Sequence, residues 1–157
     1  MKYYSPLRYP GGKGKLTNYI KLILDKNDLN GGTYIEPFAG GAAVAIALLL
    51  DGVVSKIIIN DKNKAIYAFW KSVLENTEEL CGLIRNTPVN IEEWKRQREI
   101  FVNTKKACLE LGFATFFLNR TNRSGILTGG VIGGLNQKGD WKIDARYKKD
   151  DLINRIE

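Results

Sequence analysis

The chain has 157 residues, 44% hydrophobic and 26% charged, with a formal charge of +7; that length holds one domain with a real core and is short of two ordinary ones. Its apolar runs fall well below the ~20 residues of a membrane-spanning helix, and its first residues, MKYYSPLRYPGGKGKL, carry no apolar leader, so a membrane is not an expected partner and the cytoplasm is the expected compartment. The chain has no histidine, which removes His-based triads and the commonest zinc sites, and no metal is expected.

In chain order, Ser5 to Lys15 is rich in turn residues, and Leu16 to Leu24 has apolar Leu16, Ile20, Ile23 and Leu24 at helical spacing. Asn30-Gly31-Gly32 breaks that helix. Thr33-Tyr34-Ile35 then reads as a short buried strand stopped by Glu36-Pro37. Gly40-Gly41 opens a second helix, AAVAIALLL, apolar on nearly every side and so in need of cover on more than one face. Val53 to Ile59 is a second strand, ended by Asn60-Asp61. Strand, glycine turn, helix and strand make a βαβ unit, which predicts parallel strands. Lys64 to Glu75 is a further helix, and Ile91 to Asn119 gives one or two more with Trp94, Ile100, Phe101, Cys108, Leu111, Phe113, Phe116 and Phe117 as apolar material. Between Asn119 and Arg146 glycines alternate with short apolar pieces, as in a hairpin or an exposed loop; Asp150 to Ile156 begins another helix. Cys81 and Cys108 lack metal-ligand spacing and read as reduced packing residues.

The turn of the βαβ unit carries the first chemistry. A glycine turn between strand and helix lets a ligand approach backbone amides at a helix N-terminus. Asp61 follows Gly41 by 20 residues, at the end of the second strand, where an acid bonds a ribose hydroxyl. An adenosine-containing cofactor is expected, and this spacing alone suits NAD as well as S-adenosylmethionine. Glu36 separates them: a carboxylate at the mouth of the turn repels a pyrophosphate, whereas S-adenosylmethionine has no phosphate and carries a sulfonium and an ammonium. The turn EPFAGG also departs from GxGxxG. A purely structural turn with an exposed acid would have the same residues. RYPGGKGKL suggests a phosphate loop only superficially, because Gly14 and Leu16 stand where Ser or Thr is required. It fits better as a loop bringing Lys13 to the cofactor's carboxylate with Tyr9 packed on it, the plainer alternative being a basic surface turn.

RYPGGKGKL, YIEPFAGGAAV, IIINDKN and FFLNRTNRSGI, in that order, resemble the Dam-type family of DNA adenine-N6 methyltransferases, across essentially the whole chain. The resemblance implies an α/β, Rossmann-like S-adenosylmethionine-dependent methyltransferase fold, its sheet incomplete here, with an inserted helical and hairpin region that recognises double-stranded DNA. It implies that Tyr9, Lys13, Glu36, Pro37, Phe38, Gly40, Gly41 and Asp61 contact the cofactor. Residues 1–88 would form the cofactor-binding part, 89–149 the target-recognition insert and 150–157 the start of a return helix.

The family's Asp-Pro-Pro-Tyr motif, which positions the flipped-out adenine, is missing: the four prolines are Pro6, Pro10, Pro37 and Pro88, none adjacent. The sequence stops within a predicted helix, so a truncated chain, inactive by itself, is expected. Basic residues crowd two stretches, Lys2, Arg8, Lys13, Lys15, Lys21 and Lys26 at the start and Arg120 to Lys149 later. In the later one, Arg120, Asn122, Arg123, Lys138 and Lys142 are the expected DNA contacts, joined by Arg146, Lys148 and Lys149 as phosphate neutralisers. Trp141 reads as an anchor of the hairpin on its helical support. A non-catalytic DNA-binding module is the alternative function, followed by a nucleotide-dependent oxidoreductase. With only two strands in evidence, an unpaired sheet edge predicts self-association.

Overall fold

The computed structural model describes residues 4–157; Lys2, counted above in the first basic stretch, lies outside the described residues. These residues form two compact units. One comprises residues 4–5 and 11–62, the other Pro6–Pro10 and Asn63–Glu157.

The first unit contains a 3-10 turn at Lys13–Leu16, helix α1 (Thr17–Lys26), strand β1 (Thr33–Glu36), helix α2 (Ala43–Leu50) and strand β2 (Lys56–Ile59). The strands pair in parallel, as expected, from Thr33 opposite Lys56 to Glu36 opposite Ile59. Gly31, in the left-handed conformation at φ +78°, and Pro37, which has no amide to donate, bound β1. Val44 and Leu48 of α2 pack with Val54, and around them gather Ile20, Leu24, Tyr34 and Ile57. One face of the strand pair is thus covered. On the other face Ile35 and Ile58 sit opposite each other, 60% and 43% exposed.

Two expectations are corrected in this unit. Strand β2 begins at Lys56 rather than Val53, since the amides of Val53 and Val54 both donate to the Leu48 carbonyl and close the end of α2 instead. Helix α1 buries Ile20 and Leu24 but leaves Leu16 and Ile23 at 47% and 38% exposure, so its packed seam is narrower than the apolar spacing predicts.

The second unit is built round α6 (Leu109–Thr121), buried at every position from Leu111 onward. Against it lie α3 (Lys64–Glu75), α4 (Thr77–Asn86) and α5 (Ile91–Asn103), and the short α7 (Lys149–Ile153) packs on α4. Asn63 and Asn90 cap α3 and α5 through side-chain oxygens that accept the amides of Ala65 and Glu93. Phe116 stacks on Phe69 of α3 at 5.9 Å, and both Phe116 and Phe117 meet the Tyr147 ring. Helix α4, not anticipated, buries Leu80, Cys81 and Ile84 behind an acidic first turn. Helices α3 and α4 belong to this second unit. Both cysteines are free, Cys81 buried and Cys108 partly so.

Of the hairpin or exposed loop expected in 119–146, the structure has a loop. A single antiparallel bridge joins Asn122 to Val131, followed by turns. Turn hydrogen bonds and side chains take the backbone groups that a ladder would pair. Asn122 Nδ2 donates to the Ile126 and Leu127 carbonyls, and Gln137 Nε2 donates to those of Ile132 and Gly134. Gly133, at φ +83°, has no room for a side chain: a Cβ would lie 2.7 Å from the Trp141 carbonyl oxygen. Among the described residues no helix is long and apolar enough to cross a membrane.

Candidate functional site

In the first unit the carboxyl ends of β1 and β2 lie side by side, the edge at which α/β sheets bind ligands. The loop leaving β1 is tied across to β2: Ala39 donates its amide to the Asn60 carbonyl at 2.9 Å, and Asn60 donates to that of Glu36 at 3.0 Å. The Gly40 amide donates to Asp61 Oδ2 at 2.8 Å. Gly40 (φ +50°) and Ala42 (φ +48°) both adopt the left-handed conformation, turning the chain abruptly into α2. Ser5 Oγ donates to the Gly41 carbonyl and steadies the same turn.

Helix α2 has no side-chain cap of its own. Glu36 supplies one from the preceding strand: its Oε2 accepts the Ala45 amide, in the helix's first turn, at 3.3 Å. Burial pushes the Glu36 carboxyl above the usual glutamate range, opposed by the Ala45 hydrogen bond and by the charge of Lys13. Lys13, Glu36, Gly40, Gly41 and Asp61 are thereby gathered round one strand end. Pro37 and the 73%-exposed Phe38 form the outer lip of the loop. Tyr9 is exposed and belongs to the 6–10 stretch of the second unit. The acidic groups at this edge are two carboxylates, Glu36 and Asp61, each of which accepts a backbone amide. They suit a ligand with hydroxyls and positive charge and oppose a pyrophosphate.

In the second unit the residues expected to meet DNA divide sharply. Arg120 is buried at 8% exposure, and its Nε and Nη2 both donate to the Pro6 carbonyl. Burial, with smaller repulsions from Arg155 and Arg8, lowers its pKa to about 10. Asn122 is fully buried; its Oδ1 accepts the Trp94 indole N–H at 2.7 Å. Neither side chain presents itself to a duplex. Each holds its own loop in this structure, Arg120 through the Pro6 carbonyl and Asn122 through the Trp94 indole. Asn119, unremarked in the sequence, joins that clamp by accepting the Arg8 amide and donating to the Arg8 and Gly125 carbonyls.

Arg123, Lys138 and Lys142 are exposed. Lys142 Nζ is partly engaged, donating to the Gln137 and Gly139 carbonyls at 2.8 and 3.0 Å. Lys149 donates to the Arg85 and Thr87 carbonyls at the end of α4, so its ammonium serves a helix end. Trp141 is 66% exposed, not the buried anchor expected, and the Arg146 guanidinium carbon lies 5.5 Å from its ring centroid. The residue missed altogether was Gln137, whose side chain organises this loop. Its only signal in the sequence was a polar residue amid glycines.

Comparison with known proteins bears on both units. Residues 9–155 match the model of the D12 class N6 adenine-specific DNA methyltransferases. Type II methyltransferase M.MjaIII of Methanocaldococcus jannaschii is 30% identical over 162 residues, a match covering 94% of this chain and 54% of that protein. Modification methylase StsI of Streptococcus sanguinis is 33% identical over 105 residues, covering 65% of this chain and 15% of that protein. The chain thus spans about half the length of the first of these relatives and a smaller share of the second. With the family model matched over nearly its whole length, the chain belongs to the D12 class of N6 adenine-specific DNA methyltransferases.

Proposed function

We propose that this chain provides the S-adenosylmethionine pocket and the DNA-reading element of a DNA adenine-N6 methyltransferase. The observation that carries the cofactor half is the tie between Asp61 and the Gly40 amide, which fixes an acid beside the β1–α2 loop at the carboxyl ends of parallel strands. In this proposal Asp61 accepts the ribose hydroxyls, Glu36 faces the cationic part of the cofactor, Lys13 meets its carboxylate, and Pro37, Phe38, Gly40 and Gly41 line the approach. S-adenosylmethionine, when bound, supplies a methyl group on a sulfonium. The protein's part is to hold and orient it without opposing its charge. An oxidoreductase using NAD is disfavoured by Glu36 standing where a pyrophosphate would lie.

DNA reading is proposed for the second unit, with Arg123 and Lys138 as free cations and Lys142 as a partly engaged one. The chain's charge of +7 supports attraction to a polyanion. Since these 157 residues contain no Asp-Pro-Pro-Tyr, methyl transfer by this chain alone is not expected. We also infer self-association through the open strand edges and the exposed Ile35–Ile58 face.

Retention of radiolabelled S-adenosylmethionine in equilibrium dialysis tests the cofactor half. Competition by S-adenosylhomocysteine but not by NAD is the expected result, and competition by NAD alone would turn the assignment toward an oxidoreductase. Duplex affinity that falls steeply with salt is expected of the second unit; a flat response would remove it from DNA binding.

A further inference from the structure

The turn that leads into α2 is held by a residue from far earlier in the chain. Ser5, 9% exposed, donates its hydroxyl to the Gly41 carbonyl at 2.5 Å, and residues 39–42 are buried with it. In a regular helix the Ala45 amide would donate to that same carbonyl, four residues back. Here it donates to Glu36 Oε2 instead, while Ile46, one position on, makes the regular bond to the Ala42 carbonyl at 3.0 Å. One helical hydrogen bond is thus divided between two side chains: Glu36 takes its donor and Ser5 its acceptor. The division goes with Ala42, whose left-handed backbone at φ +48° ends the helix before Gly41. The Ala42 amide closes on the Ala39 carbonyl at 2.6 Å.

Local preference runs against this arrangement. The left-handed conformation is unfavourable for any residue that carries a Cβ, and alanine is the best of the helix formers. With Ala42 turned right-handed, the Ala45 amide could close on the Gly41 carbonyl and α2 would grow at its N-terminus. That alternative frees Glu36 from Ala45 and reshapes the Gly40-Gly41 turn that Asp61 holds. The Ser5 hydroxyl opposes it, because without that donor the observed turn would bury an unpaired carbonyl, which is destabilising. We propose that Ser5 is a positioning residue of the cofactor site: by holding the Gly41 carbonyl it keeps Ala42 left-handed, and so keeps Glu36 and the glycine turn in the arrangement that receives S-adenosylmethionine. This rests on the cofactor reading proposed above and deepens it, since a hydroxyl 36 residues away from the turn sets its geometry.

The test uses the 157-residue chain. In titration calorimetry Ser5→Ala should bind S-adenosylmethionine about tenfold more weakly, as expected when the competent turn is populated about one tenth of the time. Ser5→Thr, which keeps the hydroxyl, should bind within about twofold of wild type. Adding Ala42→Gly to Ser5→Ala should restore most of the lost affinity, because glycine adopts the left-handed conformation freely. A serine that only stabilised the fold would give no such rescue. The turn is also read without ligand: by NMR the Ala42 Cα resonance should move toward its helical value in Ser5→Ala and keep its wild-type position in Ser5→Thr. Thermal melting checks that each variant is folded; should Ser5→Ala unfold, Ser5→Cys, with its weak S–H donor, carries the comparison. An unmoved Ala42 resonance with undiminished affinity in folded Ser5→Ala would overturn the proposal, and so would a loss that Ala42→Gly leaves unrestored. If the wild-type chain takes up no S-adenosylmethionine, the cofactor reading fails and the positioning of that ligand with it, whereas wild-type binding that Ser5→Ala leaves intact removes Ser5 alone.

Discussion

Glu36 caps α2 through the Ala45 amide while standing where a ligand would enter, and the two tasks pull against each other. Burial holds its carboxyl above the ordinary glutamate range. The folded chain therefore binds that proton more tightly than the unfolded chain does. Stability falls as pH rises from the ordinary glutamate value through the raised one, and the loss persists above it. Glu36→Gln, which still offers an oxygen to Ala45, should melt at a higher temperature than wild type near neutral pH, with the gain vanishing below the ordinary glutamate value. S-adenosylmethionine should bind the same variant more weakly, because the cationic ligand favours the ionised acid. A melting curve at pH 7 and another at pH 4 decide the first point; a variant no more stable at pH 7 would contradict it. Arg120 supplies the contrast of a residue whose motif suggests contact with DNA and whose side chain is spent on the Pro6 carbonyl. Arg120→Ala should cost about 2–3 kcal/mol in urea unfolding. Weaker DNA binding without that cost would return Arg120 to the interface. Asp61 and Glu36 were legible in the sequence because their positions follow from strand ends. The burial of Arg120 and Asn122 was not, for it depends on the 6–10 stretch and on Trp94, both far away in the chain.

At the scale of elements, β1, α2 and α3 could be read directly, since glycine breaks and apolar content mark them. Helix α4 escaped notice behind its polar first turn. The choice between hairpin and loop for 119–146 stayed open in the sequence for a definite reason: glycine content signals reversal of the chain without telling a ladder from a loop whose carbonyls are satisfied in part by side chains such as Gln137 and Asn122. Packing between helices has its own signature at Gly112 of α6. A Cβ there would press on Ser72 Oγ and come within 2.7 Å of the Ala68 carbonyl oxygen, both on α3. Gly112→Ala should therefore destabilise the chain by about 1–3 kcal/mol despite alanine's better helix propensity. Chemical denaturation measures it, and a neutral or stabilising result would mean that α3 and α6 can separate at no cost.

Across the whole molecule, a two-stranded parallel sheet is a small scaffold for a ligand. Parallel strands are ordinarily covered on both faces, whereas Ile35 and Ile58 face outward here. Self-association is the expected response: light scattering should report a mass that rises with concentration, and Ile58→Lys should suppress the rise. A strictly monomeric chain at high concentration would contradict this. Family membership accounts for the order of motifs along the chain, and the paired strand ends account for why Glu36, Gly40 and Asp61 lie together. The central claim, that the pocket takes S-adenosylmethionine, is tested most directly by titration calorimetry of the wild-type chain and Asp61→Ala with that ligand and with NAD. Saturable binding of S-adenosylmethionine that weakens at least about tenfold in Asp61→Ala, ~1.4 kcal/mol, with no heat from NAD, is the predicted result; binding of NAD in its place, or S-adenosylmethionine binding indifferent to Asp61, would contradict it.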